Sequence, residues 1–504
     1  MNKFLKIVGA VAIINMVARF LGFLREIIIG NQYGTTVTSD SIINAYTIPN
    51  FLYLVIGGAF TTAFISMFNK IDATGRKDFV RRTFTTIAVS ITIISVLCMV
   101  LSDVVIHGYF RDLSAEEVEL LKPLYMWMMP STIFLVLSTW LSGILNVHNK
   151  YHLSTFSVLL YNLSFLVISV ALSIFIGPIG YGIGALLGAI FMVGFLIFGV
   201  RKEEVMSFKP LIKNRADQRE LWKIALPIMI GGATAQMYIM IQRFYTNQLD
   251  EGIVSAMNYA NKMSQFPQAI LMTAVTTVIF PILSKKQAEG DQASVKRVYI
   301  QGLRMLYLLI LPVSLYFYFE AEGVVRVLFE REKFGASSTA ITAPLVALFS
   351  LTMFFLAANV YVTRFYYAKG NSLVPVIFGL ISVFAVNIIV INMMIDSYGA
   401  DAIAYATLIS SVVNFILLVV YLQWKYGLKI LYKNFGQLLK FIIITFVTIA
   451  CYYVIAEYVQ FNSKWLHALI TGTLAIVIYV VILVVFRVKE LNSVLMKVKK
   501  KIKK

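Results

Sequence analysis

Apolar runs of about 20 residues recur along the whole of this 504-residue chain, and that recurrence leaves few folds open. In lipid every backbone amide must find its hydrogen bond within the protein, so spanning segments are helices or closed barrels, and runs of this length read as helices. With 59% hydrophobic and 14% charged residues, the chain is too apolar for a soluble protein. The expected fold is an all-α polytopic membrane protein with fourteen spans. They lie near 5–29, 42–68, 84–106, 124–146, 155–176, 179–200, 224–247, 253–283, 303–319, 342–367, 373–394, 402–423, 439–457 and 466–486. The first run reads as a retained span rather than a cleaved leader, because it lacks a small-x-small site and continues through Arg19 and Arg25.

Charge sets the orientation. With both termini cytoplasmic, the N-terminus, the even-numbered loops and the tail carry 33 of the 44 Lys and Arg residues, the odd-numbered loops six, and the spans five. That division is what the positive-inside rule requires, so the net charge of +19 follows from topology and calls for no nucleic acid. The tail Arg487–Lys504 holds eight basic residues and one acid, Glu490, the composition of an anchor on anionic membrane lipid. Asp112, Glu116, Glu117 and Glu119 mark the outer loop at 109–123 as a solvated acidic cap.

Cys98 and Cys451 fall in distant spans, and His107, His148, His152 and His467 are scattered near span ends, so neither set has metal-ligand spacing. A phosphate-binding Gly-rich loop ending in Lys-Ser/Thr is also missing from the sequence. No cofactor or metal is expected. Energy would come from a gradient, the membrane potential or substrate turnover, and the coupling ion stays open.

An internal repeat organises the first twelve spans. Ala59-Phe-Thr-Thr-Ala-Phe-Ile-Ser-Met-Phe-Asn-Lys70 resembles Ala274-Val-Thr-Thr-Val-Ile-Phe-Pro-Ile-Leu-Ser-Lys285, six spans later; Pro49 pairs with Pro267, and Arg25 with Arg243, each at a separation of 218 residues. Six is even, so the halves run in the same direction, a parallel repeat with its site between them. The expected division is an N-terminal six-helix lobe at 1–200, a basic cytoplasmic linker at 201–222, a C-terminal six-helix lobe at 223–423, two additional helices at 424–486 and the tail at 487–504. Helix-loosening residues gather in corresponding spans of both halves: Gly22, Pro49 with Gly57 and Gly58, Pro227 with Gly231 and Gly232, and Pro267. Plain helix packing explains any one of them; their concentration points to spans bent around a cavity.

Arg19, Arg25, Arg243, Lys262 and Arg364 lie within spans, and Glu26 is the one acid that clearly shares their depth. A charge there costs at least about 2.5 kcal/mol on insertion scales and faces a protein-lined or watery cavity. Four of them also have a plainer reading: Arg25 with Glu26 as a structural ion pair, Arg243 and Lys262 snorkelling to the interface, and Arg364 as a cytoplasmic anchor. Forked arginines and a mobile lysine suit a phosphate-bearing anion.

Ala18-Arg-Phe-Leu-Gly-Phe-Leu-Arg-Glu26, Gly34, Ser39-Asp40, Ile48-Pro-Asn50 and Gly58-Ala-Phe60 resemble the first two spans of the MurJ lipid II flippases, within the multidrug, oligosaccharide-lipid and polysaccharide exporters. Glu251 through Lys262 to Phe266-Pro267 and Pro281, and Arg364-Phe-Tyr-Tyr-Ala368 with Pro375, are similar to further motifs of that family. The resemblance covers nearly the whole chain. It implies two six-helix lobes around a cationic cavity, and a groove for the polyprenyl tail at the last two helices, on whose inner face Ala475 is expected. It implies as substrate an undecaprenyl-pyrophosphate-linked disaccharide-pentapeptide, carried from the inner to the outer leaflet of the bacterial cell membrane. By position, Arg19 and Arg25 match essential first-span arginines, Asp40 matches an acid at the outer end, and Lys262 stands where many members have arginine. The chain departs from the family at Leu52-Tyr53, where many members have a basic pair, and at Gln242, at or near the place of a sodium-binding acid.

The resulting expectation is a lipid II flippase working by alternating access, with Arg19, Arg25, Arg243 and Lys262 on the pyrophosphate, Arg364 as a further contact, and Glu26, Asp40, Pro49, Gly57, Gly58 and Pro267 in gating or structural roles. Cell-wall synthesis enzymes are the expected protein partners. A flippase for teichoic-acid or capsule precursors would use the same cavity. A cation-coupled drug exporter would want intramembrane carboxylates, which are nearly lacking, and a membrane glycosyltransferase would need paired outer-loop acids, which are scattered.

Overall fold

The computed structural model describes residues 3–110, 113–203, 206–211, 215–428 and 435–488; Asp112 and the basic tail from residue 489 onward lie outside the described residues. Those described contain helices and no strand. Among them, twelve helices are long and apolar enough to cross a bilayer, or thirteen if the pair Asp217–Thr234 and Gln236–Thr246, bent by 46°, is one span. The first of the fourteen expected spans is a helix of 31 residues, Lys3–Tyr33, which is not among those thirteen.

Two compact units divide the chain at Ser255/Ala256. The first contains α1 (Lys3–Tyr33), α2 (Val37–Leu52), α3 (Gly58–Phe68), α4 (Arg76–Val100), α5 (Ser102–Tyr109), α6 (Ala115–Met128), α7 (Ser131–Val147), α8 (Tyr151–Ile176), α9 (Ile179–Val200) and α10 (Arg215–Thr246). Small residues set its closest packing. On α9, Gly180, Gly184 and Gly188 recur every fourth residue, and a Cβ at each would lie 2.6 Å from Ser173 N, 2.1 Å from Ser169 Oγ and 3.1 Å from Phe165 N on α8. Helices approach this closely in a membrane only where side chains are small. Aromatic rings fill the interior beside them: Phe64 stacks on Phe79 at 5.5 Å and meets Trp140 edge-on at 6.1 Å.

The linker expected at 201–222 is fastened to this unit. Arg81 Nε donates to the Lys209 carbonyl at 3.1 Å, Leu211 N to Thr85 Oγ1 at 3.1 Å, and Arg82 pairs with Asp217 at 2.6 Å. Lys150 pairs with Glu203 in the same way.

Helix breaks appear at two of the expected places. Pro49 lacks the N–H that would bond to Ala45, and the chain widens into a π-helical turn at Tyr53–Gly57 before resuming as α3. Gly57 is there for space, since a Cβ would come within 2.8 Å of Thr139 Oγ1 on α7, whereas nothing lies within 4 Å of one at Gly58. The bend in the seventh expected span follows Gly231 and Gly232. By contrast α1 runs unbroken through Gly22, and α11 (Ile253–Ala288) stays helical through Pro267 and Pro281.

The second unit takes the remainder of α11, then α12 (Gln292–Phe319), α13 (Ala321–Leu328), α14 (Ala336–Ala368), α15 (Leu373–Leu380), a π-helical stretch at Ile381–Asn387, α16 (Ile388–Tyr398), α17 (Ala400–Tyr426), α18 (Phe435–Tyr458) and α19 (Lys464–Val485). Its main core joins α11, α12, α14 and α17 through residues such as Ile279, Tyr299, Phe365 and Leu418. Tyr361 Oη donates to the Val298 carbonyl at 2.9 Å and fills the space over Gly302, where a Cβ would be 1.9 Å away. A second core joins α12 to the two additional helices through Leu311, Leu315, Tyr452, Tyr479 and Ile482. Ala475 belongs to it, 3% exposed, with its carbonyl accepting from Tyr452 Oη at 2.9 Å. At this position the side chain expected on the inner face of a lipid-tail groove is packed against protein.

Candidate functional site

Two polar clusters stand out in the first unit. In the last third of α1, Arg25 donates from Nη2 to Glu26 Oε1 at 2.8 Å, and Glu26 is 3% exposed. The guanidinium carbon lies 4.6 Å from the centroid of the Phe165 ring on α8 and 5.4 Å from that of Tyr46 on α2. Tyr46 is held in turn, its hydroxyl 3.0 Å from that of Tyr161. The arginine thus keeps its charge away from bulk water by means of one carboxylate and two aromatic rings that it lies over. Arg19 is accessible, two turns earlier on the same helix, and takes no part in this cluster.

The second cluster surrounds Asp40, near the start of α2. Its Oδ2 accepts from Gly252 N at 2.8 Å and its Oδ1 from Ser255 N at 2.7 Å, so the buried carboxylate caps the first turn of α11. Glu251 returns the favour: its Oε1 accepts from Val37 N, the first residue of α2, at 2.9 Å. Each helix start is therefore held by an acid from the neighbouring segment. Arg243 belongs here, 6% exposed, with Nη1 donating to the Val254 carbonyl at 2.7 Å, and Asn44 Nδ2 donates to Asn247 Oδ1. Gly252 sits at φ +84° with its α-carbon against the Thr35 carbonyl, 2.5 Å from where a Cβ would be, so only glycine fits.

In the second unit, Lys262 and Pro267 are half-buried on α11. Arg364 is exposed at the end of α14, with its guanidinium carbon 5.2 Å from the centre of the Phe280 ring. The five intramembrane cations are thus distributed: Arg25 in an aromatic cage, Arg243 in a backbone clamp, Arg19 and Arg364 accessible, and Lys262 half-buried. Among the described residues no group of three or more His, Cys, Asp or Glu is placed to hold a metal ion.

Residues that the sequence reading did not single out include Tyr46, Tyr161, Phe165, Asn44 and Asn247. A weak signal existed for one pair, since Tyr161 and Phe165 lie one turn apart on the same helix and present adjacent rings. Nothing in the sequence linked them to Arg25, which is 136 and 140 residues away in the chain.

A profile of the family described as lipid II flippase MurJ matches residues 29–480. The chain belongs to that family. A probable lipid II flippase MurJ of Buchnera aphidicola subsp. Schizaphis graminum is 26% identical over 436 residues, 84% of this chain and 83% of that protein. The lipid II flippase MurJ of Burkholderia cenocepacia is 27% identical, over 72% of each chain. Among solved structures, a lipid II flippase MurJ in an inward closed conformation superposes with a TM-score of 0.84 at 22% identity, covering 95% of this chain and 98% of that one. An inward-facing multidrug resistance MATE transporter gives 0.68 at 11% identity, covering 82% and 99%. These two likenesses establish the shared fold.

Proposed function

We propose that this lipid II flippase works by alternating access, with the Arg25 guanidinium as a contact for the pyrophosphate and the polyprenyl tail left in lipid. The observation that carries the reading is an arginine paired with Glu26 and set over two aromatic rings on a helix of the first unit, in a chain matched by the flippase family over residues 29–480. A forked cation at that depth gives a phosphate-bearing head group compensation for the water it leaves. Arg19 and Lys262 would add charge as the head group enters, and Arg364 would meet it at the cytoplasmic end. Arg243, already engaged with the Val254 carbonyl, would act through the geometry of the Asp40 clamp.

Both termini would be cytoplasmic, as the loop charges require, and substrate would move from the inner to the outer leaflet of the bacterial membrane without a covalent step. The second reading, another polyprenyl-linked glycan as substrate, rests on Leu52-Tyr53 and Gln242, where the chain lacks charges common in the family. Depleting the protein and measuring lipid II exposed on the outer leaflet tests the assignment. A fall in exposed lipid II that Arg25→Ala fails to restore supports it; full restoration by Arg25→Ala removes Arg25 from the pyrophosphate site.

A further inference from the structure

The second span carries polar groups that the protein itself does not use. Tyr46, Asn50 and Tyr53 stand at positions i, i+4 and i+7 along Val37–Phe68, so they share one face of that helix. At one end of the face, the Tyr46 ring centroid lies 5.4 Å from the Arg25 guanidinium carbon, and the Tyr46 hydroxyl is paired with Tyr161. Further along, the Asn50 amide and the Tyr53 hydroxyl make no hydrogen bond to any described residue, and neither group is sealed from solvent; both residues are half-buried. Tyr53 opens the π-helical turn, where the backbone is already widened. A free amide and a free phenol are unfavourable against hydrocarbon, so a face that carries both within a span turns toward water or a polar ligand.

We propose that this face is a glycan subsite, in which Asn50 and Tyr53 hydrogen-bond the sugar of the substrate while Arg25 contacts its pyrophosphate. The proposal rests on the reading that Arg25 is a pyrophosphate contact. Its chemical basis is the kind of group on offer. Asn50 presents one acceptor and two donors, Tyr53 one hydroxyl that can act either way and an aromatic ring, and neither carries a charge. Those groups suit a ligand made of hydroxyls and amides and give a second anion nothing to pair with. The order along the helix matches the order of the head group, in which sugar follows pyrophosphate. From Tyr46 to Tyr53 the helix advances about 10 Å, a length comparable with that of a disaccharide. Tyr46 is the fixed end of the face, since its hydroxyl is tied to Tyr161 on α8, itself 6% exposed. Asn50 and Tyr53 have no bond within the protein to give up, so a sugar has only water to displace. The subsite therefore adds recognition of the glycan to an arginine that would accept any pyrophosphate.

The test uses the purified full-length protein and two probes that differ only in the sugar: farnesyl pyrophosphate, and the same farnesyl pyrophosphate carrying the disaccharide-pentapeptide. Calorimetry gives a dissociation constant for each. Tyr53→Phe and Asn50→Ala should each weaken binding of the glycan-bearing probe about fivefold, the equivalent of one neutral hydrogen bond, and together about twentyfold, while farnesyl pyrophosphate binds as it does to wild type. Tyr53→Phe removes a single oxygen that bonds to nothing in the protein, so it serves if Asn50→Ala folds poorly. Arg25→Ala should weaken both probes. Unchanged binding of the glycan-bearing probe in the double variant would show that the face is merely hydrated, and equal weakening of both probes would show that it serves the pyrophosphate or the fold; either result overturns the subsite. The reading of Arg25 stands in both cases if Arg25→Ala weakens both probes. If Arg25→Ala binds both probes as wild type does, the underlying reading fails as well.

Discussion

Asp40→Ala should loosen the start of α11 without unfolding the unit around it. The carboxylate is 4% exposed and accepts two backbone hydrogen bonds, from Gly252 N and Ser255 N. Alanine leaves both donors buried without their acceptor, at about 1 to 3 kcal/mol each, and removes a negative charge from a helix N-terminus, worth about 0.3 to 1 kcal/mol. Water entering the space vacated would recover part of this, so a local loss of about 3 kcal/mol is expected. That corresponds to roughly 150-fold faster opening, because each 1.4 kcal/mol is a factor of ten.

Hydrogen exchange followed by mass spectrometry reads the effect in peptides covering 247–256. Asp40→Asn, which keeps one acceptor oxygen but no charge, should give about half the free-energy change. Glu251→Ala is the comparison from the opposite side. Its carboxylate is exposed, and Val37 N can turn to water, so under about 1 kcal/mol is expected there. Wild-type exchange in Asp40→Ala would show that the carboxylate does not hold the turn. Equally accelerated exchange across all of residues 1–255 would show that it stabilises the whole unit and has no local role.

Other consequences can be measured with fewer steps. Gly184→Ala should lower the thermal stability by about 1 to 3 kcal/mol, because its Cβ would overlap Ser169 Oγ at 2.1 Å and press on Ser169 N at 2.8 Å; an unchanged melting curve would mean that α8 and α9 can separate freely. Ala475→Gln should destabilise the protein by a similar amount, since the position is 3% exposed in the core shared by α12, α18 and α19, and wild-type stability there would show that the face opens. Single cysteines at 206–211, in a background lacking Cys98 and Cys451, should resist an impermeant thiol reagent added outside intact cells, whereas cysteines at 115–119 should react. Labelling in the reverse pattern would invert the topology.

The fold class was open to inspection in the chain because membrane insertion imposes a rule on every span, and a run such as 179–200 can satisfy it in only one way. Its internal register was not. Gly180, Gly184 and Gly188 look like an ordinary small-residue pattern until Ser169 and Phe165 are found against them. The breaks were half visible. Proline marks a missing hydrogen bond, and at Pro49 the helix indeed widens soon afterwards, yet α11 absorbs Pro267 and Pro281 without interruption. Local sequence states where a helix can yield; packing decides whether it does. The π-helical stretch at Ile381–Asn387 contains no proline or glycine to announce it.

The cations show the same limit more sharply. Arg25 and Arg243 are separated by 218 residues, the spacing of the repeat, and both are buried or nearly so, which in sequence makes them equivalent candidates for one cavity. Their surroundings make them different devices. Arg25 lies over two aromatic rings and donates to the carboxylate of its chain neighbour Glu26. Arg243 donates to a backbone carbonyl in the turn that Asp40 caps, adding a second hydrogen bond to an acceptor already used within the helix. A repeat carries residue type to equivalent places, but each arginine's partners are its own: Glu26 and two rings for Arg25, the Val254 carbonyl for Arg243.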